Sequence, residues 1–360
     1  MSTKNFTQFN TAAPLTSADY IVGYKADGTA ELKATLNQVV NLVTANETLQ
    51  ISSVQIRTKP TANVFIGDTT TGNNTATGSH NFVFGLSAGN ALTSGYSNVF
   101  VGACAGRGNT TGAANNFLGN LAGFSNTTGG FNNFLGYRAG SNNTTGSSNN
   151  FIGYRAGVSN TTGSSNNFLG YRAGHYNTTG GNNNFLGTSA GRYNSIGGSN
   201  NFLGQNAGFS NTIGIYNNFL GTNAGFSNTA GGCNNFLGNQ AGLVNTTGGS
   251  NNFFGTCAGR SNTTGSSNNF LGYKSGGFNR TGSNNIFIGA NANTASAQTS
   301  ALSGVIVLGA GATAQLNNEL SIGSTTWPLS TRSDNTFTGQ VSSVILRLNG
   351  SLFRVPIIPV

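Results

Sequence analysis

Residues 149–165 read NNFIGYRAGVSNTTGSS, and this stretch decides the fold. Its NNFIG pentad recurs along the chain in close variants. The phenylalanines fall at Phe100, Phe117, Phe134, Phe151, Phe168, Phe185, Phe202, Phe219, Phe236, Phe253, Phe270 and Phe287, each 17 residues after the last. Val83 extends the register backwards by one unit, and Phe65 by another after one inserted residue. A repeat this short cannot hold a helix pair. It fits one coil of a β-solenoid or β-roll, read as two short strands and two turns. Coils stack about 4.8 Å apart, so about fourteen of them make a rod roughly 60 Å long.

Composition agrees with that reading. Of 360 residues, 55 are Gly and 56 are Asn, while only 6% are charged, against about 25% in an ordinary domain. Disordered chains are rich in charge and poor in aromatics, whereas this one has 25 Phe. There is no collagen period and no apolar run of about 18 residues. The opening MSTKNFTQFN lacks the basic and apolar regions of a secretion signal, so none is expected. Three cysteines, Cys104, Cys233 and Cys257, do not make a disulfide framework.

The repeats form an alignment within one chain, and its columns carry structural meaning. The residue after each Phe is large and apolar, as in Leu118, Leu135, Ile152, Phe254 and Ile288. Neighbouring strand residues point to opposite faces. Phe therefore lines one face and Leu or Ile the other, and both are expected to be buried. A lone roll has one interior, so the second apolar face calls for another copy of the chain. Asn98 to Asn285 recur at the same period with twelve members, and stacked Asn side chains can hydrogen-bond from coil to coil. The glycines at 102, 119 and 136, and at 106, 123 and 140, mark corners. In the Asn-Thr-Thr-Gly turn, the first Thr column accepts Ser195 and Arg280 and is expected to face water. The second accepts Ile196, Ile213 and Ala230 and is expected to face inward.

The end units depart from the period. VIVLGAGATAQLNNELSIG, residues 305–323, is similar to the 14-residue repeats of the trimeric autotransporter adhesin (YadA-like) head. That resemblance implies a left-handed parallel β-roll, trimerised along its axis. The NNFLGYRAGxxNTTG units resemble a longer-coil relative in bacterial and viral fibre proteins, so the likeness covers roughly residues 63–323. Residues 1–62 differ in composition. Residues 19–33 read as a hairpin with Asp27-Gly28 at its turn. A short helix should follow, with Thr35 and Gln38 as a capping box and Leu36, Val39, Val40 and Val43 on one face. PLTSADYIVGYKADGTAELKATLNQVV resembles the virion-attachment segment of bacteriophage tail fibres and tailspikes. Near the other end, Asn349-Gly350 between alternating strands predicts a β-hairpin that caps the roll or forms the tip of a fibre.

Catalytic chemistry finds little to work with. Residues 69–318 hold no carboxylate side chain, so the acid pair of a glycosidase has no source there. His80 and His175 are 95 residues apart, which speaks against a triad or a metal cluster. Cys104 and Cys257 share a column but lie nine coils, about 43 Å, apart. No catalytic, metal or cofactor-binding residues are assigned. One constellation stands out: Tyr137-Arg138, Tyr154-Arg155 and Tyr171-Arg172 occupy the same columns in three successive coils. With no acid nearby they form a candidate contact for a receptor or polyanion; alternatively they are a solvated face that keeps the rod soluble. Eight basic residues over the roll are sparse beside the charge density of DNA, so no nucleic-acid partner is expected.

The expected protein is all-β and non-enzymatic. It has a small α+β N-terminal segment (1–62), a parallel β-roll or β-solenoid of 17-residue coils (63–323) and a C-terminal hairpin (324–360). The resemblances imply a homotrimeric tail fibre of a tailed bacteriophage, located on the virion. It would be held to a tail or baseplate protein through residues 1–62 and would bind a host surface glycan or protein receptor, with no membrane insertion and no cofactor. A cellular adhesin and an ice-binding solenoid are the alternatives.

Overall fold

The structure is a computed structural model. It describes residues 62–73, 75–296 and 301–324 in full, and short strands near both ends as backbone only. Its body is a parallel β-solenoid. Sixteen strands, from Asn63–Gly67 to Leu320–Ile322, pair in sequence order, each with the strand one coil before and one coil after. Register is set by the period: Phe134 pairs with Phe117 on one side and with Phe151 on the other. Fifteen steps of about 4.8 Å give a rod roughly 70 Å long.

Each 17-residue coil contains one three-residue strand, such as Asn133–Leu135, and a chain of turns. Two strands per coil were expected. The NTTG segment instead takes turn geometry, because its backbone donors reach the next coil without extending: Thr144, Thr145 and Gly146 all donate to Thr161 O. A second parallel pair, Asn293–Thr294 with Thr313–Ala314, occurs only in the last coils. There the step from strand to strand changes to 20 and then 14 residues.

The interior is narrow and half amide. Each coil from Phe100 to Phe287 contributes one Phe, replaced by Val83 and Val307 in the flanking coils, and most coils add one Ala from the Ala-Gly corner, all shut off from solvent. The Phe rings stack from coil to coil at 4.8–5.0 Å, with planes within 12° of parallel. Two Asn per coil complete the core. In the expected ladder, Asn149 N donates to Asn132 Oδ1 at 3.0 Å, and Asn149 Nδ2 donates to Gly163 O at 2.8 Å. A second buried ladder runs from Asn109 to Asn279 through the first residue of each NTTG turn. Asn160 Nδ2 donates to Asn143 Oδ1 at 2.7 Å and to Gly163 O at 2.9 Å. The amides thus meet the carbonyls that the tight turns leave inside, which buried backbone requires.

The corners are left-handed. Gly136 has φ 134°, and Gly140 has φ 56° with its Cα against the Phe134 ring, where a Cβ would lie 2.5 Å from Cε2. Between them Arg138, a non-glycine residue, has φ 56°.

Exposure distinguishes the remaining columns. The column after Phe is only partly covered within one chain: half-buried at Leu135 and Ile152, 36% exposed at Leu118 and 49% at Leu271. The expected exposure of the two Thr columns is corrected: they are exchanged. The first is half-buried, and its hydroxyl is engaged, as in Thr144 Oγ1 donating to Thr161 O at 3.0 Å. The second faces outward, with Ile196 at 56% and Ile213 at 51% exposed.

At the N-terminal end, Val54–Lys59 pairs antiparallel with Asn63–Gly67 and with Thr48–Ile51, so a hairpin continues the first coil's sheet. Tyr20–Tyr24 and Glu31–Thr35 form the expected hairpin. Its Asp27-Gly28 turn and the helix expected after Thr35 lie outside the described residues. Ser343–Leu348 and Ser351–Pro356 pair antiparallel across the Asn349-Gly350 position.

Candidate functional site: a basic corner

The turn that follows each strand carries two columns beside the Ala-Gly corner, the second of them buried at Ser141, Val158 and His175. The first begins with the left-handed residue and holds Arg138, Arg155, Arg172 and, later, Lys274. Three residues on, the second holds Arg107, Arg192 and Arg260, with His175 directly before Arg192 in the register. The two columns share one corner: Cys257 and Lys274 from the first and Arg260 from the second line the same open cavity of about 440 Å³, together with Phe278. Seven of the eight basic residues between 69 and 318 therefore lie on a single edge of the rod, and Arg280 is the exception.

Tyrosines border this edge. Tyr137, Tyr154 and Tyr171 stack with ring centroids 5.3 Å apart, near parallel, and are exposed. Stacked rings cover one another's faces, so this ladder offers ring edges to solvent. On the other side Tyr176 and Tyr193 stack at 5.0 Å, and Phe209 meets Tyr193 edge-on. The guanidinium of Arg172 lies 5.1 Å from the centroid of Tyr171, and that of Arg192 lies 5.4 Å from Tyr193. Such cation–π contacts hold each head group against the wall.

Among the described residues the corner lacks counter-ions, since 69–318 hold no carboxylate side chain. Asp68 and Glu319 bound the acid-free stretch, and each is occupied in a turn. Asp68 Oδ1 accepts from the hydroxyls of Thr70 and Thr71 and from Ser87 N. Burial pushes its pKa up, but these hydrogen bonds outweigh burial and hold it below the ordinary value. Glu319 Oε2 accepts from Gln315 N and Leu316 N. Meanwhile the Nε atoms of Arg138, Arg155, Arg172 and Arg192 are closed off from solvent and have no hydrogen-bond partner within the described residues, and neither has His175 Nδ1. Burial, followed by the charges of Arg155, Arg172 and Arg192, pushes His175 down to about 4. Burial first, and the neighbouring guanidinium charges second, both favour the neutral imidazole.

Among the described residues no three His, Cys, Asp or Glu side chains gather as metal ligands, and Cys104, Cys233 and Cys257 are free thiols. The structure thus brings the Tyr137, Tyr154 and Tyr171 ladder together with Arg138, Arg155 and Arg172. It adds Arg107, His175, Arg192 and Arg260, which sequence reading did not connect to it. Their signal was the shared column three places after the arginines. No protein-family model and no curated protein matches the chain.

Proposed function

We propose that the chain is a structural and adhesive fibre subunit of a tailed bacteriophage, assembled as a homotrimer. In this reading the solenoid is the shaft or head. Residues 1–62 hold the virion tail or baseplate, and the C-terminal hairpin caps or tips the fibre. Adsorption to the host surface is the function, and three copies multiply a weak receptor contact by avidity.

One observation carries the reading. The outward strand face bears a continuous apolar stripe, including Leu118, Leu220, Leu237, Leu271 and Ile288, along nearly the whole rod. A stripe of this length is uncommon on a monomer surface. Its rungs repeat at the coil spacing, and a parallel copy of the same chain has the same spacing. Beside the stripe runs a partly exposed Asn ladder, with Asn133 Nδ2 donating to Asn150 Oδ1 at 2.9 Å, which gives such a face a polar register.

Sedimentation equilibrium of the full chain tests the assembly. Three times the chain mass is expected, falling to one with L169E/L186E/L203E. A wild type that stays monomeric and compact would remove the basis for the fibre. Adsorption of the purified protein to host cells, with and without residues 324–360, separates an adhesive tip from an inert shaft.

A further inference from the structure

We infer that the basic corner is a binding track for a linear acidic polysaccharide, lying along the rod axis and meeting the arginine columns with its carboxylates. This deepens the adhesive reading by naming a ligand class for the flank, and for its biological setting it rests on that reading.

Three observations carry it. First, the cations are sorted. Seven of eight lie on one corner over ten coil steps, about 48 Å at the β spacing. Charges serving only solubility have no reason to share an edge. Arg138, Arg155 and Arg172 stand in adjacent coils, where like charges about 5 Å apart repel by roughly 1 kcal/mol per pair even in water. Second, nothing within residues 69–318 answers them. That stretch contains no carboxylate, so the guanidinium groups of this corner have no anionic partner along the roll. Guanidinium and carboxylate form the strong, two-pronged pair that an acidic sugar can complete. Third, the borders are polar and aromatic. The Tyr137, Tyr154 and Tyr171 rings cover each other's faces and turn their edges outward, which suits the hydroxyls of a sugar chain.

The same geometry disfavours a nucleic acid. Single-strand recognition needs open aromatic faces for base stacking, and here the faces are taken. Duplex DNA carries a charge about every 1.7 Å, several times denser than this corner.

Titration calorimetry of the full chain with polygalacturonate oligomers tests the inference, with dextran and oligothymidylate as comparisons. Saturable binding of polygalacturonate is expected, weakening with salt and absent for dextran. R138Q/R155Q/R172Q should weaken it by about ten-fold or more, and R172Q alone by a few-fold. R280Q removes a charge away from the corner and should leave the affinity unchanged. Far-UV circular dichroism confirms that each variant is folded, and the single variants keep the test readable should the triple one unfold. The inference fails if the wild type binds no polygalacturonate, if R280Q weakens binding as much as R172Q, or if oligothymidylate binds more tightly. Failure here leaves the oligomer mass untouched, so the two readings fall separately.

Discussion

Replacing Asn228 by Asp tests whether the interior is held by directional amides. Asn228 is fully buried. Its Nδ2 donates to Asn211 Oδ1 at 2.8 Å and to Gly231 O at 3.0 Å, and its Oδ1 accepts from Asn245 Nδ2 at 2.8 Å. In N228A, Gly231 O keeps a bond from Asn217, while Asn211 Oδ1 loses its ladder donor and Asn245 its ladder acceptor. Two unsatisfied groups at roughly 1–3 kcal/mol each give a loss of about 2–6 kcal/mol. N228D keeps the volume but sets a carboxyl oxygen against two acceptors. Protonated, it donates one hydrogen bond and behaves no worse than N228A. Ionised, it is a buried anion facing oxygens, so its pKa in the folded chain rises by several units above the ordinary value of about 3.9. The folded state then holds a proton that the unfolded chain has released. Its stability relative to wild type is greatest below about pH 4 and falls by about 1.4 kcal/mol per pH unit above it. By pH 7 the added loss is roughly 4 kcal/mol. Urea denaturation of all three proteins at pH 4, 5.5 and 7, at one protein concentration, reads this directly. A difference between N228D and wild type that stays flat with pH would refute the argument, as would N228D outlasting N228A at pH 7.

Other perturbations probe the remaining columns. G157A places a Cβ 2.5 Å from Phe151 Cε2 at φ 57°; strain and overpacking together should lower stability by about 2–5 kcal/mol in denaturant melts. R155G, two residues earlier at φ 56°, has a left-handed backbone that glycine suits, so its urea midpoint should move much less. Because His175 is held near 4, below its ordinary 6.5, by burial and by Arg155, Arg172 and Arg192, the unfolded chain takes up its proton first. Wild-type stability should therefore fall as pH drops from about 6.5 towards 4, and H175V, which copies Val158 one coil earlier, should flatten that limb. F185A removes a ring stacked at 4.8 Å on both Phe168 and Phe202. It should destabilise by about 3–5 kcal/mol, with hydrogen-exchange protection lost first in the coils on either side.

The period exposed most of the architecture because stacking copies each column onto itself. Phe at a fixed interval can only be an inward ladder, and the paired glycines can only be corners. Exposure was harder to read. Ile196 and Ile213 suggested an inward column, yet single apolar residues on an exposed turn are common. The neighbouring Thr column looked solvent-facing because it admits Arg280, but what the coil needs there is the backbone carbonyl, and Arg280 O still accepts from Thr263 Oγ1 at 3.0 Å. The Asn109–Asn279 column passed as turn composition, since Asn is common in turns for local reasons. Its lack of any substitution over eleven coils was the missed sign of a buried role. The basic corner was half visible. Tyr-Arg pairs announce themselves in consecutive repeats, whereas Arg107, Arg192 and Arg260 are separated by Phe, Ser, Val, His and Leu in their column. That they share an edge with Arg138 follows from the left-handed turn, which the letters do not display.

The columns divide the labour of the molecule. Inside, Phe, Ala and two Asn recur with little change, because each must match the coil above and the coil below at once. A substitution in one coil breaks two contacts, so variation there is penalised twice. Outside, at the corner, no such match is required, and that is where the coils differ: Tyr, Thr, Gln and Asn alternate in one column, and Arg, Ser, Asn, Gln and Cys in the next. The left-handed backbone at this second column tolerates them all without altering the core, since φ stays at 55–60° from Cys104 to Lys274. A chain built in this way can change what its edge presents, coil by coil, while its fold stays constant. The concentration of cations there then reflects what the edge meets, because the core places no demand on their charge. Leu135 and Tyr137 are two residues apart, so the apolar stripe and the basic corner adjoin along the rod. Copies that packed through the stripe would leave the corner at the rim of their contact, open to a polymer lying in the groove.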